Sequence, residues 1–146
     1  MVKVFISAPF FSDNQVDKVK TLEQVLKKNP TVTDFYSARL EQGTDSVPGS
    51  LQWGQEIYAR DMNGLKSSDV VVAILDFDGH DIDSGTSYEI GQAKAMGKPV
   101  IALRTDRSKT NLMIGASADA SFKSVRSLVN YDFNHVHPNQ FKGQLC

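Results

Sequence analysis

The sequence predicts an α/β protein in which a mostly parallel, five-stranded sheet lies between layers of helices. Apolar segments rich in β-branched residues alternate along the chain with segments whose apolar residues recur every three or four positions. Strands and helices in this order form βαβ units, which build parallel sheets with right-handed connections. Residues 70–75 (VVVAIL) are apolar at every position, as in a strand that is covered on both faces.

The first strand and the first helix have clear end signals. Residues 2–8 (VKVFISA) favour a β-strand, which Pro9 ends because proline cannot donate a hydrogen bond to the sheet. Ser12 or Asp13 can cap a helix over residues 14–28, whose valines and leucines share one face.

The other elements follow the same alternation, except that residues 122–129 fit a strand or a helix equally well. Five strands in 146 residues predict a flavodoxin-like three-layer sandwich that forms one domain over 1–146. Further strands are expected at 31–36, 70–75 and 99–103, and further helices at 51–65, 85–96 and 111–114.

Composition excludes several classes of partner. A net charge of −1 provides no basic face for nucleic acid or an anionic membrane, and no apolar run is long enough to span a bilayer. The N-terminus lacks the long apolar region of a signal peptide, and Cys146 is the only cysteine, so we expect a reducing, cytoplasmic location. The three histidines lack the carboxylate or cysteine partners of a metal site, so neither a metal nor a cofactor is expected.

The segment 76–91 (DFDGHDIDSGTSYEIG) is the strongest candidate for a functional site. Four aspartates occupy its first eight residues, directly after the buried strand 70–75 and before the helix 85–96. Ligands of open α/β sheets bind outside the carboxyl ends of the strands. We expect Asp76, Asp78 and Asp81 only to shape and solvate the rim of this site.

Two further acids lie in the apolar stripes of helices. Asp61 is four residues from both Ile57 and Leu65, and Glu89 is four residues before Ala93. A carboxyl on such a face needs a partner or an altered pKa. Either acid alone could satisfy a neighbouring group, but two of them beside one acidic loop favour a functional site.

The pair suits glycosyl chemistry. Glu89 lies near the N-terminus of its helix, where the helix dipole favours an ionised carboxylate that can act as a nucleophile. A second carboxyl that burial keeps protonated can act as a general acid. Transfer through an oxocarbenium-like transition state requires this division of roles. The residues alone indicate paired carboxylates and no particular substrate.

The chain resembles the nucleoside 2-deoxyribosyltransferases over nearly its whole length. Its SAPF and SYEIG segments are more similar to those of the purine-preferring branch. Such enzymes exchange the base of a 2′-deoxyribonucleoside for another free nucleobase. The matching segments occur in the family's order: VFISAPFFSD, RDMNGLKSSDVVVA, DSGTSYEIGQAKAMGKPVI, NLMI and YDFN…FKGQLC.

The resemblance implies a double displacement with retained configuration. Glu89 matches the nucleophile that attacks the anomeric carbon, and Asp61 matches an aspartate that exchanges a proton with the base or orients it. Asp83 matches a ligand of a sugar hydroxyl or of the base, and Gly85 lies in the turn that admits the sugar. The remaining matches are the base-pocket aromatics Phe10 and Phe11, the polar contact Gln42, the substrate-side position Phe5, and Asn111 and Met113, which complete a neighbouring subunit's site.

The chain departs from the family pattern at two positions. Phe5 replaces a tyrosine whose hydroxyl steadies the nucleophile, so Glu89 lacks one expected hydrogen bond. Cys146 stands where the family often has an aromatic residue.

Other activities remain open at this point. One alternative is an N-glycoside hydrolase of deoxynucleosides or their 5′-monophosphates, and another is a non-catalytic nucleotide-binding or sensing module. The resemblance implies a homo-oligomer, hexameric or dimeric, with sites completed across subunits and with 2′-deoxyribonucleosides and nucleobases as its partners.

Overall fold

The computed structural model describes residues 1–146 and contains one sheet of five parallel strands in the order β2-β1-β3-β4-β5. This order is the flavodoxin-like arrangement, so the predicted fold class is confirmed, and the sheet is wholly rather than mostly parallel. The strands are β1 Val2–Ser7, β2 Val32–Ser37, β3 Val70–Ile74, β4 Val100–Leu103 and β5 Ala120–Phe122.

Four α-helices connect the strands, and their bounds lie close to those predicted. The ambiguous segment 122–129 divides between the end of β5 and a 3₁₀ turn at Val125–Leu128, and a second 3₁₀ turn follows β2 at Ala38–Leu40. The helices are α1 Asp13–Lys28, α2 Leu51–Lys66, α3 Ser84–Ala95 and α4 Leu112–Ser117.

Alternate residues of β1 face the two hydrophobic layers of the sandwich. Val4 and Ile6 pack in the layer that contains the apolar face of α1, whereas Phe5 packs with residues of α2 and α3. None of the helices combines the length and apolar composition that crossing a membrane requires.

Two charged residues are buried at the carboxyl edge, and one of them, Asp76, was expected only to shape and solvate the rim. Arg104 and Asp76 are each 2% exposed. The Arg104 guanidinium donates to the backbone oxygens of Leu75 (2.8 Å) and Lys109 (3.0 Å). Burial acts to raise the pKa of Asp76, but hydrogen bonds from Lys18 and Thr105 hold it below its ordinary value. This network ties together the loops that follow β3 and β4.

The other two aspartates, which were expected to shape and solvate the rim, shape it through specific hydrogen bonds. Asp78 accepts hydrogen bonds from the side chains of Ser12 (2.7 Å) and Gln15 (2.8 Å), which joins the acidic loop to the start of α1. Asp81 accepts the backbone N–H of Asn111 at 3.0 Å, which joins the loop to the start of α4.

Candidate active site

A cavity of about 490 Å³ opens between α2 and α3 at the carboxyl edge of the sheet. A larger cavity of about 640 Å³ is lined by residues 104, 106–108, 123 and 142–144 but has no apolar lining residue, so it offers no surface for a nucleobase. The smaller cavity combines carboxyl groups with aromatic rings: its acids are Glu41, Asp61, Asp83 and Glu89, and its aromatic residues are Phe10, Phe11, Trp53, Tyr58 and Tyr88.

Glu89 projects into this cavity from the second turn of α3. Burial raises the pKa of its carboxyl to about 7, and the nearby charges of Asp61 and Asp83 act in the same direction. The hydroxyl of Ser7 opposes this shift because it donates to Glu89 Oε1 at 2.7 Å. Desolvation thus outweighs the preference for the ionised form that the position of Glu89 near the helix N-terminus predicts.

Ser7 supplies the hydrogen bond that the sequence analysis finds missing at Phe5. Ser7 lies at the carboxyl end of β1, is fully buried, and points toward the same layer as Phe5 two residues earlier. Its hydroxyl bonds to one carboxyl oxygen of Glu89, and the protein makes no hydrogen bond to the other oxygen, Oε2. Glu89 is thus held in one orientation with a free oxygen.

Asp61 enters the same cavity from α2. Burial raises the pKa of its carboxyl, while a hydrogen bond from Tyr36 and the charge of Arg60 oppose the increase. The Tyr36 hydroxyl donates to Asp61 Oδ1 at 2.7 Å. The two helices therefore bring together two carboxyls that are both harder to ionise than usual.

Asp83 shapes the entrance to α3 as its N-terminal cap. Its Oδ2 accepts the backbone N–H of Thr86 at 2.9 Å and the hydroxyl of Thr86 at 3.2 Å. Gly85 allows this arrangement, since a Cβ there would lie 3.1 Å from the same oxygen. Both Asp83 and Gly85 line the cavity.

Aromatic rings form much of the cavity wall. The stacked rings of Phe10 and Phe11 have centroids 6.1 Å apart, and the hydroxyls of Tyr58 and Tyr88 meet at 3.2 Å. Gln42 also lines the cavity, and its amide donates to the carbonyl of Ala38 at 2.6 Å. Flat apolar walls of this kind suit the faces of a nucleobase.

Three predicted residues lie outside this cavity. Phe5 is fully buried and stacks on Tyr36 with ring centroids 5.3 Å apart, so it is a core residue rather than a substrate contact. Asn111 caps α4 through its side chain, and Met113 is 70% exposed at the first turn of that helix. Neither of these two residues reaches the cavity of its own chain.

Four residues at the site were not predicted from the sequence: Ser7, Tyr36, Tyr58 and Tyr88. One signal was available for Ser7, since a serine stands at the carboxyl end of an otherwise apolar strand that feeds the site. No comparable local signal marks Tyr36, because its role depends on how α2 packs against β2.

A site with these features suits an enzyme that transfers a sugar from one nitrogen base to another. A carboxyl with a free oxygen can attack an anomeric carbon, a second carboxyl with a raised pKa can exchange a proton, and aromatic walls can hold a base.

Comparison with known proteins agrees with this class. The family model described as nucleoside 2-deoxyribosyltransferase matches residues 4–135. The chain therefore belongs to the nucleoside 2-deoxyribosyltransferase family, as the sequence analysis predicts.

Two relatives illustrate the extent of the similarity. A nucleoside deoxyribosyltransferase of Limosilactobacillus fermentum is 31% identical, and the match covers 95% of this chain and 90% of that protein. The solved 2-deoxyribosyltransferase of Bacillus psychrosaccharolyticus has a TM-score of 0.80 and 30% identity, and the match covers 94% of this chain and 98% of that one.

A third relative has a different activity and a shorter match. The 5-hydroxymethyl-dUMP N-hydrolase of Rattus norvegicus is 39% identical over 86 residues, which are 58% of this chain and 48% of the hydrolase.

Proposed function

We propose that this enzyme exchanges the bases of 2′-deoxyribonucleosides by double displacement through Glu89. The observation that carries the proposal is the pairing of Glu89 and Asp61 in one aromatic cavity, each with a raised pKa and each held by one hydroxyl.

In the first step, Glu89 Oε2 forms a bond to the anomeric carbon as the bond from that carbon to the base breaks. The electron pair of the broken bond goes to the base, and a proton moves from Asp61 to a base nitrogen. In the second step, a nitrogen of an incoming base forms a bond to the anomeric carbon as the ester bond to Glu89 Oε2 breaks and its electron pair returns to the carboxylate. The proton on that nitrogen moves to Asp61. Two inversions retain the configuration at the anomeric carbon.

Burial raises the pKa of both carboxyls, and each shift bears on the role proposed for that residue. The ionised form of Glu89, whose pKa burial raises to about 7, is a stronger nucleophile than a carboxylate of ordinary pKa. Burial favours the protonated form of Asp61, which is the form that can donate to the departing base.

The charge of the cavity favours nucleosides over their 5′-monophosphates. Four carboxyl groups and no lysine, arginine or histidine line it. A phosphate placed there would meet like charges without a cation to pair with. This distribution supports a deoxynucleoside transferase more than a monophosphate hydrolase. The preference for purines is a separate part of the proposal, and it is supported by the sequence resemblance.

The proposed enzyme is a cytoplasmic homo-oligomer, a hexamer or a dimer, in which Asn111 and Met113 complete the site of a neighbouring subunit. Leu112 and Met113 support this arrangement because they expose apolar side chains, 52% and 70% respectively, at the start of α4. The cytoplasmic assignment rests on the single cysteine, Cys146, which forms no disulfide.

Incubation of deoxyinosine with adenine tests the proposed reaction. We expect deoxyadenosine and hypoxanthine as products, no turnover of deoxyinosine 5′-monophosphate, and loss of exchange in Glu89→Ala with retained folding by circular dichroism. Slower exchange with thymine as the acceptor would support the purine preference. Release of free deoxyribose without deoxyadenosine would instead support a hydrolase.

A further inference from the structure

The ring of Tyr36 lies behind the candidate cavity, and its hydroxyl contacts Asp61. We propose that Tyr36 is a positioning residue for proton transfer: it fixes the Asp61 carboxyl and stabilises the carboxylate that forms as the departing base takes the proton. This inference rests on the proposed function, because it assigns a role within that reaction.

The position of the Tyr36 ring is set from two sides. Tyr36 is the partner of Phe5 in the β1–β2 register, and their rings stack almost in parallel with centroids 5.3 Å apart and an interplanar angle of 2°. On the other side, the ring packs against Gly64 of α2, where an added Cβ would lie 2.7 Å from ring carbons. Because both neighbours leave little free space, the hydroxyl has a defined position.

The hydroxyl of Tyr36 is the hydrogen-bond donor that the protein provides to Asp61. It donates to Oδ1 at 2.7 Å, and the protein makes no hydrogen bond to the other oxygen, Oδ2. Oδ2 is therefore the oxygen that can carry the proton and give it to the base. Tyr36 itself does not line the cavity, so it acts through Asp61 and not on the substrate.

The proposed contribution arises during proton transfer. The bond between Oδ2 and its proton breaks, a bond between the proton and a base nitrogen forms, and the electron pair remains on Asp61. Negative charge then spreads over both carboxyl oxygens, and the hydrogen bond from Tyr36 becomes stronger because its acceptor is charged. An interaction that strengthens in the transition state affects kcat more than KM.

The test compares two substrates that differ in their need for a proton. Deoxyinosine requires protonation of its base, whereas 7-methyl-2′-deoxyguanosine already carries a positive charge on its base, which departs neutral. We expect Tyr36→Phe, which keeps the stacked ring, to lower kcat for deoxyinosine about tenfold while changing kcat for the methylated substrate about twofold or less. Asp61→Asn is expected to show the same selectivity with a larger loss for deoxyinosine.

Tyr131→Phe is the matched control, because the Tyr131 hydroxyl accepts only a backbone N–H from His137 and lies outside the cavity. We expect this variant to affect the two substrates equally. Gly64→Ala is a second, independent test, because it displaces the Tyr36 ring without removing the hydroxyl. We expect it to lower kcat for deoxyinosine more than kcat for the methylated substrate, as Tyr36→Phe does.

If Tyr36→Phe lowers kcat equally for the two substrates, the proposed role of Tyr36 is wrong. If Tyr36→Phe does not fold, the same result in Gly64→Ala would overturn the proposal. The proposed function fails separately, if the unmodified enzyme exchanges no bases or if Glu89→Ala keeps its activity on both substrates.

Discussion

At the scale of single residues, the chemistry depends on how a buried carboxyl is kept reactive. Desolvation alone would favour the protonated form of Glu89, which is a poor nucleophile. The Ser7 hydroxyl donates to that carboxyl and so favours its ionised form. A serine at the end of β1 thus partly offsets the increase in the pKa of Glu89 that burial on α3 causes.

Ser7→Ala should make Glu89 harder to ionise. Because the hydrogen bond from Ser7 lowers the pKa of Glu89, its removal raises that pKa above about 7, and the ionised fraction at pH 7 falls. We expect the acid limb of the kcat/KM profile to move up by about one pH unit, with about a tenfold lower rate than the unmodified enzyme at pH 6 and a smaller difference between the two at higher pH. A profile that keeps its shape and only drops in height would contradict this role.

At the scale of elements, periodic patterns predicted most of the helices and strands to within about two residues. The same patterns identified Asp61 and Glu89, because a carboxyl in an apolar stripe conflicts with its surroundings and that conflict is visible in the sequence. The hydroxyls that bind these acids were not predictable in this way. Ser7 and Glu89 are 82 positions apart, and only the packing of α3 against β1 brings them together.

The basic loop after β4 shows a second limit of sequence patterns. Three basic residues within 104–109 are typical of a solvated loop, and Arg107 and Lys109 are indeed exposed. Arg104 is buried because it is the first residue after the strand, where carbonyls of two loops and Asp76 converge. Local composition carries no information about that convergence.

Removal of the Arg104 charge should destabilise the carboxyl edge. Arg104→Gln leaves buried carbonyl groups and Asp76 with fewer partners, and breaking buried ionic networks costs about 3–5 kcal/mol of unfolding free energy. Lys94→Gln is the control, because its ion pair with Asp119 is partly exposed and such pairs contribute about 0–1 kcal/mol. Urea denaturation measures both variants. Similar losses in the two would show that the Arg104 network has no special role.

At the scale of the whole molecule, the cavity is open on one side, and the start of α4 exposes residues that do not reach this cavity. The cavity has an open mouth between α2 and α3, beside the half-exposed rings of Tyr58 and Tyr88. The start of α4 presents Asn111 and Met113 to solvent, away from that cavity. Both features are explained if each subunit contributes one half of a shared site, as the proposed function requires.

Complementation between two inactive variants tests the shared site directly. Glu89→Ala removes the nucleophile, and Asn111→Ala removes a contact that is proposed to serve the neighbouring subunit. If subunits exchange at random in an equal mixture, about half of the sites have an intact Glu89 and about half of those receive an intact Asn111. The mixture should therefore recover about a quarter of the unmodified activity, although each variant alone is inactive or nearly so.

The control pairs Glu89→Ala with Asp61→Asn, because both of these residues belong to the same subunit's cavity. Every subunit in this mixture lacks either Glu89 or Asp61, so no association of the subunits can restore a complete site. Light scattering establishes that the variants keep their oligomeric state, and native mass spectrometry of a mixture in which one variant is isotope-labelled establishes that they exchange subunits. If exchange occurs and the Glu89 and Asn111 variants still fail to complement, each chain must form its site alone, and the exposed residues of α4 need another explanation.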